Sequence, residues 1–227
     1  MREFQVNGRT ISGYLAEPAA HGSGPGVLVL HAWWGLTEPF QRVCDRLAEA
    51  GFVALALDLY QGKTTASVDE AKALAGALDR DMERWRGDIK AALQLLRQHT
   101  ATHQAGGQSK FGLIGFSLGG AYALDTSVNL AEEIAAVVIF YTAWSEPDYG
   151  SAKAAYLCHF AEHDPFESAE SVAEMERTLQ AAGRQATFYT YPGTKHWFFE
   201  DNRPEYDAGA AHLAWERTIQ FLHQQLD

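Results

Sequence analysis

The chain is poor in sulfur, has no long apolar run and carries a deficit of positive charge. Only two of its 227 residues are cysteine, Cys44 and Cys158. Neither belongs to a C-x-x-C pair and both sit in apolar patterns. A disulfide framework and a cysteine-built metal site are therefore excluded, and both thiols are expected reduced in the core. No stretch reaches the roughly 20 apolar residues of a membrane span. Lys and Arg number 18 against 29 Asp and Glu, a formal net charge of −11. That sign argues against nucleic acid and anionic membranes as partners. The opening Met1-Arg2-Glu3-Phe4-Gln5-Val6 has no apolar h-region of a signal peptide, so a cytoplasmic protein is expected. No repeat, low-complexity tract or linker interrupts the chain, and a single domain over 1–227 is expected.

What is present alternates between two patterns. Residues 3–16 read as a β-hairpin around Asn7-Gly8. A surface loop of small residues then runs from Glu17 to Gly26. Continuous apolar runs at Val27–Leu30, Phe52–Leu57, 110–117, Ile134–Tyr141, Ala154–Phe160 and Ala186–Tyr191 have the character of buried parallel strands. Helical spacing falls between them, at 37–50, from Ser67, and at 80–98, 167–182 and 204–226. A polar loop is expected at 99–109. The pattern predicts an α/β fold, a mostly parallel central sheet with helices on both faces and no lid domain. Gly62-Lys63-Thr64 looks like the end of a phosphate loop, but Leu57 stands where that motif needs glycine.

One turn in this series carries chemistry. Gly115-Phe116-Ser117-Leu118-Gly119 follows an apolar strand and opens an alanine- and leucine-rich helix. A G-x-S-x-G in that context turns the chain sharply and exposes the serine hydroxyl at the top of a sheet. The motif alone is common, and a serine N-cap at a glycine-rich turn would also explain it. Later strands supply the discrimination: Asp164 and His196 also lie just past strand ends, where such sheets place their sites. Ser, then Asp, then His is the chain order of α/β-hydrolases. Ser117 is the expected nucleophile and His196 its base, with Asp164 orienting the imidazole. Glu162 and His163 are the rival acid and base.

An acyl-transfer site needs two N–H donors for its oxyanion. The Leu118 amide, directly after the serine, is the expected first, and the Trp33 amide the second. Trp34, Tyr60, Trp144, Trp197 and Phe198 are candidates for a substrate pocket, although aromatic residues of this kind equally build cores. His31 reads as a packed strand-end residue, and His21, His99, His103, His212 and His223 as surface residues. His159 and His163 lack the carboxylate or cysteine partners of a metal site. No metal and no cofactor are expected.

These residues together resemble the dienelactone hydrolase family, a compact branch of the α/β-hydrolase fold. The resemblance runs over nearly the whole chain. It rests on Leu30-His31-Ala32-Trp33-Trp34-Gly35, Ala56-Leu57-Asp58-Leu59-Tyr60, Gly115-Phe116-Ser117-Leu118-Gly119-Gly120, Phe140-Tyr141, the Asp164 turn, His196-Trp197-Phe198 and Ala214-Trp215-Glu216-Arg217-Thr218. Three departures stand out. The family's best-known pattern carries a cysteine where this chain has Ser117. It carries a glutamate tied to activating that cysteine where this chain has Ala32. Members that cleave dienelactone hold its carboxylate with arginines, whereas Glu200 lies four residues after His196 here and would repel an anion. The cations after Tyr60 are Lys63 and Lys72, and Arg203 reads more simply as a solvated residue. The resemblance thus implies a serine carboxylesterase acting on a small, neutral ester or lactone, with neither nucleic acid nor membrane as partner. A thioesterase or peptidase on the same fold, and a non-catalytic binding protein that kept it, remain alternatives.

Overall fold

A computed structural model describes residues 1–19, 24–100 and 110–227. Two compact units divide the chain, Met1–Leu113 and Ile114–Asp227. The division falls inside one strand, β5 (Phe111–Phe116).

In the first unit, β1 (Arg2–Val6) and β2 (Arg9–Ala16) form the expected antiparallel hairpin. Both turn residues, Asn7 and Gly8, take positive φ, at 48° and 81°. That left-handed pair matches the twist of the two strands. β2 runs antiparallel to β4 (Val53–Leu57), and β3 (Gly26–Leu30) runs parallel to it, with Leu28 opposite Leu55. Both β3 and β4 are buried along their whole length, which is why they read as unbroken apolar runs.

Three helices complete this unit. Helix α1 (Glu38–Glu49) starts with a proline in its first turn and buries Phe40, Val43, Cys44 and Leu47 against β4. Helix α2 (Val68–Asp79) is capped by Ser67, whose side chain accepts from the Glu70 N–H. Asp81 caps α3 (Met82–His99) by accepting from the Arg84 N–H. Each cap satisfies an N–H that the first turn leaves without a partner. The expected surface histidines His21 and His103, part of the 17–26 loop and most of the 99–109 loop lie outside the described residues.

The second unit holds β6 (Ile134–Phe140), β7 (Ala155–His163) and β8 (Ala186–Lys195), parallel and adjacent in that order. Helix α4 (Leu118–Asn129) packs on β6, α5 (Ala169–Ala181) on β8, and α6 (Ala208–Leu226) on β6 and β7. The last strand runs four residues past its expected end at Tyr191, through Pro192 and Gly193. The pairing continues across a register shift between Ala161 and His163, until His163 faces Lys195. Proline is tolerated where no ladder partner needs its missing N–H. Because these strands are parallel, their carboxyl ends lie on one side, and Asp164 and His196 each follow directly after one. No helix among the described residues is long and apolar enough to cross a membrane.

Candidate active site

The turn after β5 is tight for a steric reason. A Cβ on Gly115 would stand 2.5 Å from the Gly119 carbonyl oxygen and 2.6 Å from the Gly120 Cα. One on Gly120 would stand 2.3 Å from Thr142 Oγ1. Only hydrogen fits at either position, and the strand and helix close up on that space. Between them Ser117 sits at φ 48°, ψ −116°, well outside the ordinary α and β regions. Three backbone anchors hold it there. Its N–H donates to the Phe140 carbonyl at 3.0 Å. Its own carbonyl accepts from the Gly120 N–H at 2.8 Å and from Thr142 Oγ1 at 2.6 Å.

The Ser117 hydroxyl lies 3.0 Å from His196 Nε2. His196 Nδ1 lies 2.7 Å from Asp164 Oδ2. A carboxylate can only accept, so Nδ1 carries the proton and Nε2 presents its lone pair toward the serine. The imidazole and carboxyl side chains are 3% and 1% exposed. The sequence allowed Asp164 either a turn role or a site role, and it has the geometry of both. Its other oxygen, Oδ1, accepts the Phe166 and Glu167 N–H groups at 2.9 and 3.2 Å. Those bonds fix the carboxylate before the histidine reaches it. The rivals lie elsewhere: Glu162 accepts from the Gly193 N–H at 2.7 Å and sits 3.5 Å from the exposed His163 ring.

Three aromatic rings enclose His196. Their centroids stand 4.7 Å away for Tyr141, 4.8 Å for Phe166 and 4.9 Å for Trp197. Of these, sequence reasoning named only Trp197 for the site. Phe166 is 55% exposed, unusual for so apolar a side chain. Its place, two residues after the candidate acid, was the available signal. Arg203 lies over the Trp197 ring at 5.0 Å. Phe198 is fully buried and packs on Tyr141 and Tyr191. Trp144 is half-buried, its N–H on the Met175 sulfur at 3.5 Å. Glu167, beside Asp164, has its carboxyl pushed up to about 7, chiefly by burial.

Glu200 differs from its expected role. It is 1% exposed and accepts the Tyr141 hydroxyl at 2.8 Å. Burial, the largest influence, pushes its carboxyl up to about 8. That direction favours the uncharged form near neutral pH, and the side chain is buried rather than on the surface where it was expected to repel a substrate carboxylate. Burial is the reason, against the pull of the Tyr141 hydrogen bond, and nothing local to position 200 announces it.

The remaining candidates belong to the first unit. Trp33 is half-buried and Trp34 buried, their rings 5.7 Å apart in the turn after β3. Tyr60 is buried with its ring edge-on to His31 at 4.9 Å. His31 itself is fully buried. Its Nδ1 bonds the Ala32 carbonyl and its Nε2 accepts the Leu59 N–H, so it packs as expected. Cys44 and Cys158 are free and buried, and burial pushes both thiols far up. Both nitrogens of His159 are engaged, by Tyr191 at 2.9 Å and Thr218 at 3.1 Å.

A serine in a strained strand-to-helix turn, facing an imidazole that faces a carboxylate, is the arrangement found in α/β-hydrolases. Comparison with known proteins narrows the class. The chain belongs to the dienelactone hydrolase family, whose model matches residues 11–226. It is 31% identical over 233 residues to Protein usf of Aquifex pyrophilus, covering 100% of this chain and 98% of that protein. It is 30% identical, with the same coverage, to an Aquifex aeolicus protein named to the carboxymethylenebutenolidases. The crystal structure of a dienelactone hydrolase-like promiscuous phosphotriesterase from metagenomic libraries shares the fold. Its TM-score is 0.84 at 21% identity, over 100% of this chain and 98% of that one. The chain is accordingly a hydrolase of ester or lactone bonds with the α/β-hydrolase fold. The non-catalytic alternative falls away.

Proposed function

We propose that the chain is a serine carboxylesterase acting on a small, neutral ester or lactone through an acyl-enzyme. The observation that carries this is the relay of 3.0 Å from Ser117 to His196 and 2.7 Å from His196 to Asp164. Ser117 Oγ attacks the carbonyl carbon as its proton passes to His196 Nε2. The tetrahedral oxyanion is held by the Leu118 amide, at the first position of α4. From sequence order alone, the second donor is assigned to the Trp33 amide. His196 returns the proton to the departing alkoxide. It then takes one from water, which attacks the acyl carbon, and hands that proton to Ser117 Oγ as the acyl–oxygen bond breaks. Asp164 stabilises the imidazolium formed in each half-reaction. Every group in this route is supplied by the protein, so no cofactor or metal is invoked.

The aromatic rings around His196 favour an apolar, neutral substrate. A thioester would follow the same steps and stays a second candidate. A cytoplasmic enzyme acting as one domain over 1–227 completes the proposal. The unit division cuts through β5, so neither unit holds that strand whole.

A fluorophosphonate probe followed by peptide mass spectrometry tests the reading directly. The adduct is expected on Ser117, together with a burst and steady turnover of p-nitrophenyl acetate. Absence of both label and turnover, with dienelactone also untouched, would reject it.

A further inference from the structure

Among the buried acids the proposed reaction leaves unused, Glu200 is the most deeply buried. Tyr141 follows β6 at φ 46°, a left-handed conformation that costs a bulky residue energy. Its N–H donates to the His159 carbonyl at 2.7 Å, which holds the backbone in place. Its ring lies 4.7 Å from the His196 ring, tilted by 51°. Phe198 braces the same ring edge-on at 5.7 Å. The Tyr141 hydroxyl donates to Glu200 Oε1 at 2.8 Å. Glu200 comes from the turn after β8, where its N–H bonds the Trp197 carbonyl and its carbonyl accepts the Arg203 N–H. Its second oxygen, Oε2, is buried without a hydrogen-bond partner.

A carboxylate with one orphaned, buried oxygen lacks the solvation its charge requires, whereas a neutral carboxyl needs far less. We propose that Glu200 is a positioning residue for His196, its buried carboxyl holding the Tyr141 hydroxyl so that the ring fixes the imidazole between Ser117 and Asp164. This rests on the reading of Ser117, His196 and Asp164 as the reacting groups. A carboxyl at this place acts through Tyr141 and takes no part in the proton transfers.

The groups that face Glu200 come from two directions. Tyr141 reaches it from the end of β6, and Arg203, Asp201 and Glu205 from the segment after it. Burial raises its carboxyl most; Tyr141 and Arg203 lower it, while Glu205 and Asp201 raise it, to a result of about 8. The folded value thus lies above the ordinary 4.5. The sign follows: the neutral acid favours the fold fully below 4.5, and that contribution is lost as pH rises through about 8. Above that point the charged carboxylate draws in water or turns away, and the Tyr141 ring loses its anchor.

The experiment is a kcat/KM profile for p-nitrophenyl acetate from about pH 5.5 to 9.5, on wild type, Glu200→Gln and Tyr141→Phe. Wild type is expected to lose activity with a midpoint near 8. Glu200→Gln copies the shape of the neutral acid and cannot ionise. It should stay within about threefold of wild type at pH 6.5 and keep its activity to the alkaline end. Tyr141→Phe should lose about tenfold in kcat with KM nearly unchanged, as expected for lost positioning. Its alkaline limb should flatten, because no hydroxyl is left for Glu200 to hold or release. Melting curves add a readout free of chemistry: Glu200→Gln should gain Tm over wild type at pH 9 and not at pH 4.

An alkaline limb in Glu200→Gln identical to wild type overturns the inference, as does a wild-type kcat in Tyr141→Phe. If Glu200→Gln does not fold, Tyr141→Phe decides alone. Failure here with Ser117 still labelled leaves the hydrolase reading standing. An unlabelled, inactive wild type removes both.

Discussion

Ser117→Ala should lower p-nitrophenyl acetate turnover by about four to six orders of magnitude and leave the fold intact. The chemical half of this expectation follows from the relay. Without Oγ no acyl-enzyme forms, and His196 can at best activate water against a carbonyl placed for a different attack. What survives is whatever the oxyanion donors and substrate binding give by themselves. The structural half follows from how the turn is anchored. All three bonds that fix residue 117 outside the relay use its backbone: N–H to Phe140, and carbonyl to Gly120 and Thr142. Alanine keeps each of them, and it meets the same penalty at φ 48° that serine does. Adding His196→Ala to the first variant should cost almost nothing more, since the two groups act as one unit. A double variant falling well below both singles would mean that they work independently and would break the relay.

Gly115→Ala should act in the opposite way, on the fold first and on activity only through it. The new Cβ would lie 2.5, 2.6 and 2.7 Å from the Gly119 oxygen, the Gly120 Cα and the Gly119 carbonyl carbon. All three are main-chain atoms at the start of α4, and none can rotate away. Relief requires β5 and α4 to part, which opens the packing around Phe116 and Ser117. Overpacking of this kind costs about 1–3 kcal/mol or more. For a chain of this size that is a fall in Tm of roughly 2–12 °C. Differential scanning calorimetry of wild type and variant measures it. The same scan checks the single-domain proposal, which expects one transition. A Gly115→Ala protein melting with wild type would show that strand and helix are not in such close approach.

The elements that were legible from sequence owe their clarity to local causes. The runs Val27–Leu30 and Phe52–Leu57 are buried on both faces, so their apolar continuity survives in the sequence. The Ser117 turn is legible because glycine at 115 and 120 is a direct record of missing space. Asp164 and His196 are legible because each follows a strand that could be identified, and parallel strands end on one side. What escaped depends on distant partners. Glu200 looks like a solvated anion until Tyr141, 59 residues earlier, is found to donate to it. Phe166 gains its meaning from His196, 30 positions on, and its own neighbours suggest only a turn. Pro192 and Gly193 argued for a strand end, and pairing along β7 carried the strand past them. The substrate belongs to the same group, because it is set by side chains that sequence order does not bring together.

The burial of both thiols has a consequence for the conditions in which the protein can work. A cysteine nucleophile must be exposed and held as thiolate to react, and the same properties open it to sulfenic and sulfinic acid. Here the proposed reacting position holds a hydroxyl, while Cys44 and Cys158 are sealed in the core as neutral thiols. The proposed chemistry therefore passes through no oxidisable sulfur. Turnover should persist after peroxide treatment that silences thiolate enzymes. A loss reversed by dithiothreitol would place a cysteine in the reaction after all. A serine at this turn suits a hydrolase to oxidising conditions that a sulfur nucleophile would not survive.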